Sequence, residues 1–521
     1  MRAYHCPAVS SLTPNELAPL EEGISQDRFV GTADTSMRMR AARGSIVNAA
    51  FLFGVNVLGF GKYVVVAAAL GARDYGVWGL IAVSLGTLFW IAAIGVDDKY
   101  IQQDHADQRA AFEVAFTLQT LLCGALMLLV IIAIPLFSLA YGQPEIIAPG
   151  MALALALPAT ALQTPLWVYY RRMDFVRQRT LQAVDPIVSF AVTVGLALAG
   201  FGVWALVIGT VASGWAAALV AVRRSPYPLR FRYEPGALRE YATFSWPLFI
   251  GSGSAVLVAQ VPALVASRAL GLAAVGAITL ATNISMFATR VDDIVTQTLY
   301  PAICAVKDRT DKLFESFAKS NRLALLWGVP CGVAAALFAD DFVRLVLGEE
   351  KWGNAVVLIQ VLGLAAAVNQ IGFNWSAYFR ARGETRPIAV ANATQLVLVL
   401  AVAVPLLVSH GVDGFASGMA VAMAGWVVVR MIYVARLFRL TRVGAHVARA
   451  IAPTVPAAGA VLAARALDGD ASRGPARVIA EGVVFSLLVV AFSWLSERRL
   501  LLEALGYLRR RPAAAPAGLP S

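Results

Sequence analysis

Lys62 stands in the run VLGFGKYVVVAAALG, residues 57–71, as its one charged side chain. An ionisable group inside a membrane segment is costly and turns toward protein or a water-filled cavity. Eight residues separate Lys62 from Leu70 at the end of the run, about 12 Å along a helix. A lysine at that depth can snorkel, holding its ammonium at the headgroups, or it can line a cleft and meet an anionic group. The cleft is the reading carried forward.

Five other groups of residues are weighed for chemistry. ATRVDDIVTQTLYP, residues 288–301, contributes Arg290, Asp292 and Asp293. Arg290 and Asp293 are three apart and share a helix face, which suits either an interfacial ion pair or a charged cavity wall. Asn369, Gln370 and Asn374 form a polar strip on one expected helix, and with Lys62 and Arg290 they are the substrate-binding candidates. Amides in such places more often join helices than bind cargo, and Asn56, Asn283, Asn392 and Gln395 are read that way. Arg171, Arg172, Arg380 and Arg382 form a basic surface able to gather anionic lipid or lipid-linked phosphate; the same residues would also fix topology. Asp97, Asp98 and Asp185 are accounted for by interface placement.

Soluble-enzyme chemistry finds no foothold. The chain has no GxxxxGK[ST] loop, no HExxH and no CxxC, and its four cysteines (Cys6, Cys123, Cys304, Cys331) lack metal-like spacing. The expectation is a protein that is not an enzyme, with no cofactor and no metal, and with proton or sodium coupling left open.

The elements that must position these residues are membrane helices. Of 521 residues, 59% are hydrophobic and 14% charged, whereas a soluble protein carries about a quarter charged residues. Uncharged runs such as 75–96, 114–144, 186–222 and 352–379 meet the ~20 residues a bilayer-spanning helix needs. The reading is an all-α polytopic membrane protein of about fourteen spans: 44–70, 76–98, 112–134, 148–170, 182–200, 203–222, 241–268, 271–300, 322–338, 354–378, 387–408, 413–435, 448–466 and 477–496. Residues 1–43 and 497–521 are expected to be tails, the first without the pattern of a signal peptide.

Lys and Arg fall in alternate loops. RRMDFVRQR (171–179), RRSPYPLRFRYEPGALR (223–239) and RARGETR (380–386) are basic, while 138–150 and 408–414 contain neither residue. The positive-inside rule therefore places both termini in the cytoplasm. Arg465, Arg473 and Arg477 run against that pattern near the last outward loop. The net charge of +11 is explained by these loops, so no nucleic-acid partner is invoked.

The chain also echoes itself. LGARDYGVWGL (70–80) returns as LGLAAVGAITL (270–280), YYRRMDF (169–175) as YFRARGE (378–384), and GFGVWAL (200–206) as GVDGFAS (411–417). The matches fall at equivalent places after six spans. Residues 44–222 and 241–435 thus read as two six-helix bundles, joined by a basic cytoplasmic linker at 223–240. Parallel repeats are related by a pseudo-two-fold along the membrane normal, and the pair at 448–496 packs outside them. The cleft between the bundles suits alternating access.

Taken together, RGSIVNAAFLFGVNVLGF (43–60), LGARDYGVWGLIAV (70–83), the stretch from YYRRMDF to WALVIG (169–209) and LVLGEEKWGNAVVLIQVLGL (345–364) resemble the bacterial Wzx-like polysaccharide exporters. These belong to the multidrug/oligosaccharidyl-lipid/polysaccharide (MOP) flippase superfamily. The resemblance implies an inner-membrane flippase. Its cargo would be an undecaprenyl-diphosphate-linked oligosaccharide, moved to the periplasmic leaflet for O-antigen, capsule or exopolysaccharide assembly. Polysaccharide polymerase and chain-length or export proteins would share its membrane. A lipid II flippase, a cation-coupled drug or amphiphile exporter, and a non-transporting scaffold of polysaccharide assembly are the alternatives.

Overall fold

The computed structural model describes residues 37–91, 96–102, 107–172, 174–234, 256–289, 309–384, 386–438, 440–468 and 473–509, and the single residues 236, 254, 296 and 303. Everything regular among them is helix, and no strand occurs. Among the described residues eleven helices are long and apolar enough to cross a membrane. The protein is therefore an all-α polytopic membrane protein.

The first half contains α1 (Met37–Ala69), α2 (Ala72–Ile91) and α3 (Gln108–Tyr141), and later α4 (Val184–Leu198) and α5 (Val203–Arg223). Asp107 caps α3 by accepting from the Arg109 and Ala110 N–H groups, and Gly142 ends it in the left-handed conformation, φ 70°. Such caps satisfy orphan backbone groups. Leu121, Leu128, Ile132, Leu136 and Leu139 of α3 are exposed and form its lipid-facing side.

The expected span at 148–170 is built from three short helices in series, Ile147–Leu153, Ala156–Leu162 and Pro165–Arg171, and Pro144–Ala161 is one of the eleven crossing candidates. Pro165 at the start of the last has no N–H to continue the ladder.

The second half contains α6 (Val256–Ala269), α7 (Leu272–Met286), α8 (Thr310–Phe342), α9 (Val356–Asn369), α10 (Arg386–Leu398) and α11 (Val404–Phe438). Helical assignment is continuous from Arg386 to Phe438, 53 residues, about 80 Å if straight. Gly411, at φ 65° and ψ −148°, breaks it. Beyond that break α11 folds back along α10, since a Cβ on Gly418 would lie 2.4 Å from the Ala403 Cα and one on Gly425 2.2 Å from Leu398. Small residues allow this close approach.

The last elements are α12 (Leu440–Ile451), α13 (Thr454–Asp468) and α14 (Pro475–Arg509). α13 and α14 are riveted to α8 near both of its ends. Asp341, 0% exposed, meets Arg344, Arg465 and Arg473, each at 3.2 Å. Glu481 takes Arg465 at 2.8 Å and Arg477 at 3.2 Å. Toward the other end of α8, Arg322 donates to buried Glu497 at 3.0 Å. The three arginines that disturbed the charge pattern are thus neutralised by acids at their own end of the bundle.

Candidate transport pathway

Two ends of the bundle can be distinguished by residue: the Gly71 end, with the α1–α2 turn, and the Arg171 end. The main hydrophobic cluster joins the halves from the Gly71 end inward, through Tyr75, Leu80, Leu272, Val275, Leu280 and Trp352. At its centre α2 and α7 touch backbone to backbone. A Cβ on Gly76 would lie 1.9 Å from the Leu272 carbonyl oxygen, and a Cβ on Gly276 1.9 Å from that of Ala72. Each glycine is needed for the other helix to fit.

Polar contacts reinforce this seam. The Trp352 indole, 0% exposed, donates to the Ala67 carbonyl of α1 at 2.9 Å and meets Tyr75 edge-on, ring centroids 5.5 Å apart. Asn283 donates to the Tyr75 hydroxyl at 3.4 Å. Gln260 of α6 accepts from Thr87 at 3.2 Å and donates to Tyr141 at 2.6 Å. Gln143 donates to the Ser267 carbonyl at 3.2 Å, and Arg268 to the Ala140 carbonyl at 2.7 Å. Beside the seam is an apolar cavity of about 280 Å³, lined by Phe60, Phe287, Ala288, Cys331, Phe338 and Ile359 among others.

The sequence-derived candidates are distributed unevenly around this seam. Lys62 is half-buried and donates to the Ser189 hydroxyl of α4 at 2.9 Å. The Tyr63 ring is 5.9 Å from its ammonium. Arg290, with Asp292 and Asp293, lies outside the described residues.

The strip Asn369, Gln370 and Asn374 is not one helix face. α9 ends at Asn369, Gly372 turns with φ 69°, and a new helix begins at Trp375. Gln370 instead donates to the Ala288 carbonyl at 3.4 Å, its own carbonyl accepts from Asn321 at 2.8 Å, and Asn374 donates to Ser320 at 3.0 Å. Gln370 Oε1 and Asn374 Oδ1 are buried acceptors without a hydrogen bond.

Asn369 accepts from Arg430 through its backbone oxygen at 2.7 Å and its side-chain oxygen at 3.1 Å. Arg430, 1% exposed and 4.7 Å from the Trp426 ring, was missed by the reading of the sequence. The signal was available: a lone charge in WVVVRMIY, of the same kind as Lys62.

The basic surface is also divided. Arg171 donates to the Tyr100 carbonyl at 2.8 Å, and Arg172 to the Tyr227 hydroxyl at 2.8 Å. Arg380 is exposed and bonds back to Ser376, and Arg382 pairs with Glu384 at 2.9 Å. Among the described residues no group of three or more His, Cys, Asp or Glu is placed to hold a metal ion.

The model of one family, described as polysaccharide biosynthesis protein, matches residues 65–357, more than half of the chain and including the whole glycine seam. The chain belongs to the polysaccharide biosynthesis protein family. It is similar to the succinoglycan biosynthesis transport protein ExoT of Rhizobium meliloti (strain 1021), 25% identical over 85% of this chain and 91% of that protein. Two other curated relatives are matched over only 42% and 22% of their own lengths.

Two solved structures share the fold. The lipid II flippase MurJ in an inward closed conformation gives a TM-score of 0.61 at 12% identity, over 88% of this chain and all of that one. An inward-facing multidrug resistance MATE transporter of the MOP superfamily gives 0.59 at 14%, over 76% and 99%. This polysaccharide biosynthesis protein is thus a multi-pass helical membrane protein, similar along most of its length to a biosynthesis transport protein.

Proposed function

We propose that this polysaccharide biosynthesis protein is a flippase that carries an undecaprenyl-diphosphate-linked oligosaccharide from the cytoplasmic to the periplasmic leaflet by alternating access. Kinship with a succinoglycan transport protein along most of both chains supports the cargo class. The observation that carries the mechanism is the reciprocal seam, in which Gly76 fits against Leu272 and Gly276 against Ala72. Contacts exchanged between equivalent positions are what a pseudo-two-fold along the membrane normal produces. On this reading the chain has fourteen spans, with bundles at 44–222 and 241–435, the linker at 223–240 and the further pair at 448–496, while the expected tails at 1–43 and 497–521 are shortened by α1, which begins at Met37, and by α14, which runs to Arg509.

With both termini in the cytoplasm the Gly71 end faces the periplasm, so the described state is closed there. Opening that end parts α2 from α7. Lys62 and Arg290 are assigned to the cargo's diphosphate, since an unpaired anion in low dielectric is strongly disfavoured. Gln370 Oε1 and Asn374 Oδ1, which lack hydrogen bonds, are assigned together with Asn369 to sugar hydroxyls in the open state. Polymerase and export proteins are its expected neighbours in the membrane.

The fold shared with MurJ favours a second reading, a lipid II flippase. Deletion separates the two. Loss of surface glycan, with lipid-linked oligosaccharide accumulating while peptidoglycan synthesis continues, supports the first. Arrested peptidoglycan synthesis with intact surface glycan supports the second, and neither phenotype removes both.

A further inference from the structure

We infer that the segment 223–234, RRSPYPLRFRYE, is a strap that binds the phosphate groups of anionic phospholipid at the Arg171 end of the bundle. Beyond Arg223, the last residue of α5, it runs without helix or strand along the start of α3. Three attachments hold it. Tyr169 donates to the Arg224 carbonyl. Arg172 donates to the Tyr227 hydroxyl, with its guanidinium 5.2 Å from that ring, while Tyr227 also packs against Phe112 at 5.6 Å. The Arg232 N–H donates to Thr117 Oγ1 at 2.8 Å, and Phe231 stacks on Phe116 at 5.4 Å.

These attachments fix the height of the strap in the bilayer. α3 has 34 residues, about 51 Å at 1.5 Å each, against a hydrocarbon slab of about 30 Å. Centred, it projects about 10 Å at each end. Thr117, nine residues after Gln108, then lies about 14 Å along the helix, just inside the slab edge. Arg230, Phe231, Arg232 and Tyr233 are therefore held at the boundary between hydrocarbon and headgroups.

All four are exposed, Phe231 at 71% and Tyr233 at 68%. Aromatic rings favour that depth, and arginine offers paired donors to phosphate. Arg223, Arg224, Arg230 and Arg232 are exposed there against the single acid Glu234, which is 3.7 Å from Arg232. The strap therefore matches a negative lipid surface in charge, height and aromatic content. This inference rests on membrane placement and not on the identity of the cargo.

The test titrates full-length protein in detergent with dioleoyl phosphatidylglycerol or dioleoyl phosphatidylcholine, read by native mass spectrometry. Wild type is expected to take the anionic lipid in preference. Arg230→Gln with Arg232→Gln should weaken that lipid about twenty-five-fold, about fivefold per arginine, and leave phosphatidylcholine unchanged. High salt should shrink the difference. Phe231→Ser with Tyr233→Ser should weaken both lipids alike, and thermal midpoints matched to wild type show that each variant is folded. An equal affinity of wild type for the two lipids overturns the inference, as does an undiminished preference in the arginine variant. If undecaprenyl diphosphate displaces phosphatidylglycerol from wild type at far lower concentration, the strap belongs to the cargo headgroup and the phospholipid assignment is wrong.

Discussion

Trp352→Ala is the most informative single change at the seam. The side chain is fully buried, donates to the Ala67 carbonyl and packs edge-on against Tyr75. Removing a core tryptophan costs about 3–5 kcal/mol, and its hydrogen bond contributes about 1 kcal/mol of that. If the Gly71 end opens during transport, the contacts with α1 and α2 are lost in the open state whatever residue stands at 352. If those contacts carry about half of the cost, the variant favours the open state by about 2 kcal/mol, a shift of about thirtyfold. Trp352→Phe keeps a ring but loses the donor and should shift the balance only about fivefold.

The assay is thiol labelling. In a variant with Cys6, Cys123, Cys304 and Cys331 replaced, a cysteine at Ala277, 0% exposed in the seam, is treated with an impermeant maleimide from the periplasmic side. Labelling should rise in the order wild type, Trp352→Phe, Trp352→Ala. Equal labelling at matched membrane abundance would show that Trp352 only stabilises the fold, and the gating argument would fail.

Four further outcomes are expected. Gly76→Ala and Gly276→Ala should each reduce surface glycan, because either Cβ would lie 1.9 Å from a carbonyl oxygen of the facing helix; a normal glycan level in both refutes the seam as a closing contact. Asp341→Ala leaves the arginines around it without their buried acid, at a cost of about 3–5 kcal/mol, so the thermal midpoint should fall. Lys62→Ala should lower transport of lipid-linked oligosaccharide at matched abundance, with Lys62→Arg retaining more activity; equal rates for Lys62→Ala and wild type return Lys62 to a packing role. Reporter fusions after Gln143 and Ser409 should read as periplasmic and those after Arg177 and Arg382 as cytoplasmic, and a cytoplasmic signal at Gln143 inverts the proposed orientation.

The helices were legible because uncharged length alone identifies them, and the α1–α2 and α6–α7 turns because glycine and leucine recur at one spacing. Lys62 stood out for the same reason Arg430 should have, as a charge in an apolar run. What stayed hidden depends on partners remote in the chain. Trp352 finds its acceptor 285 residues away at Ala67, and nothing in EEKWG announces that. Arg465 pairs with Asp341 across 124 residues, so its loop looked more positive than it is. The turn at Gly372 divides Asn369 from Asn374, and uncharged composition on both sides of that glycine masks the break.

The glycine seam also bears on how such a chain can change over generations. Gly76 is filled from across the seam by Leu272 and Gly276 by Ala72, so each turn is the mould of the other. On the proposed repeat, the two halves are elsewhere free to drift apart, one carrying Arg73 and Asp74 where the other has Ala273 and Ala274. Here they are not. A larger side chain on either helix needs a compensating retreat on its counterpart 200 residues along the chain. The two positions are therefore inherited as a matched pair, and a chimera that exchanges one half for that of a distant relative should fail first at this contact.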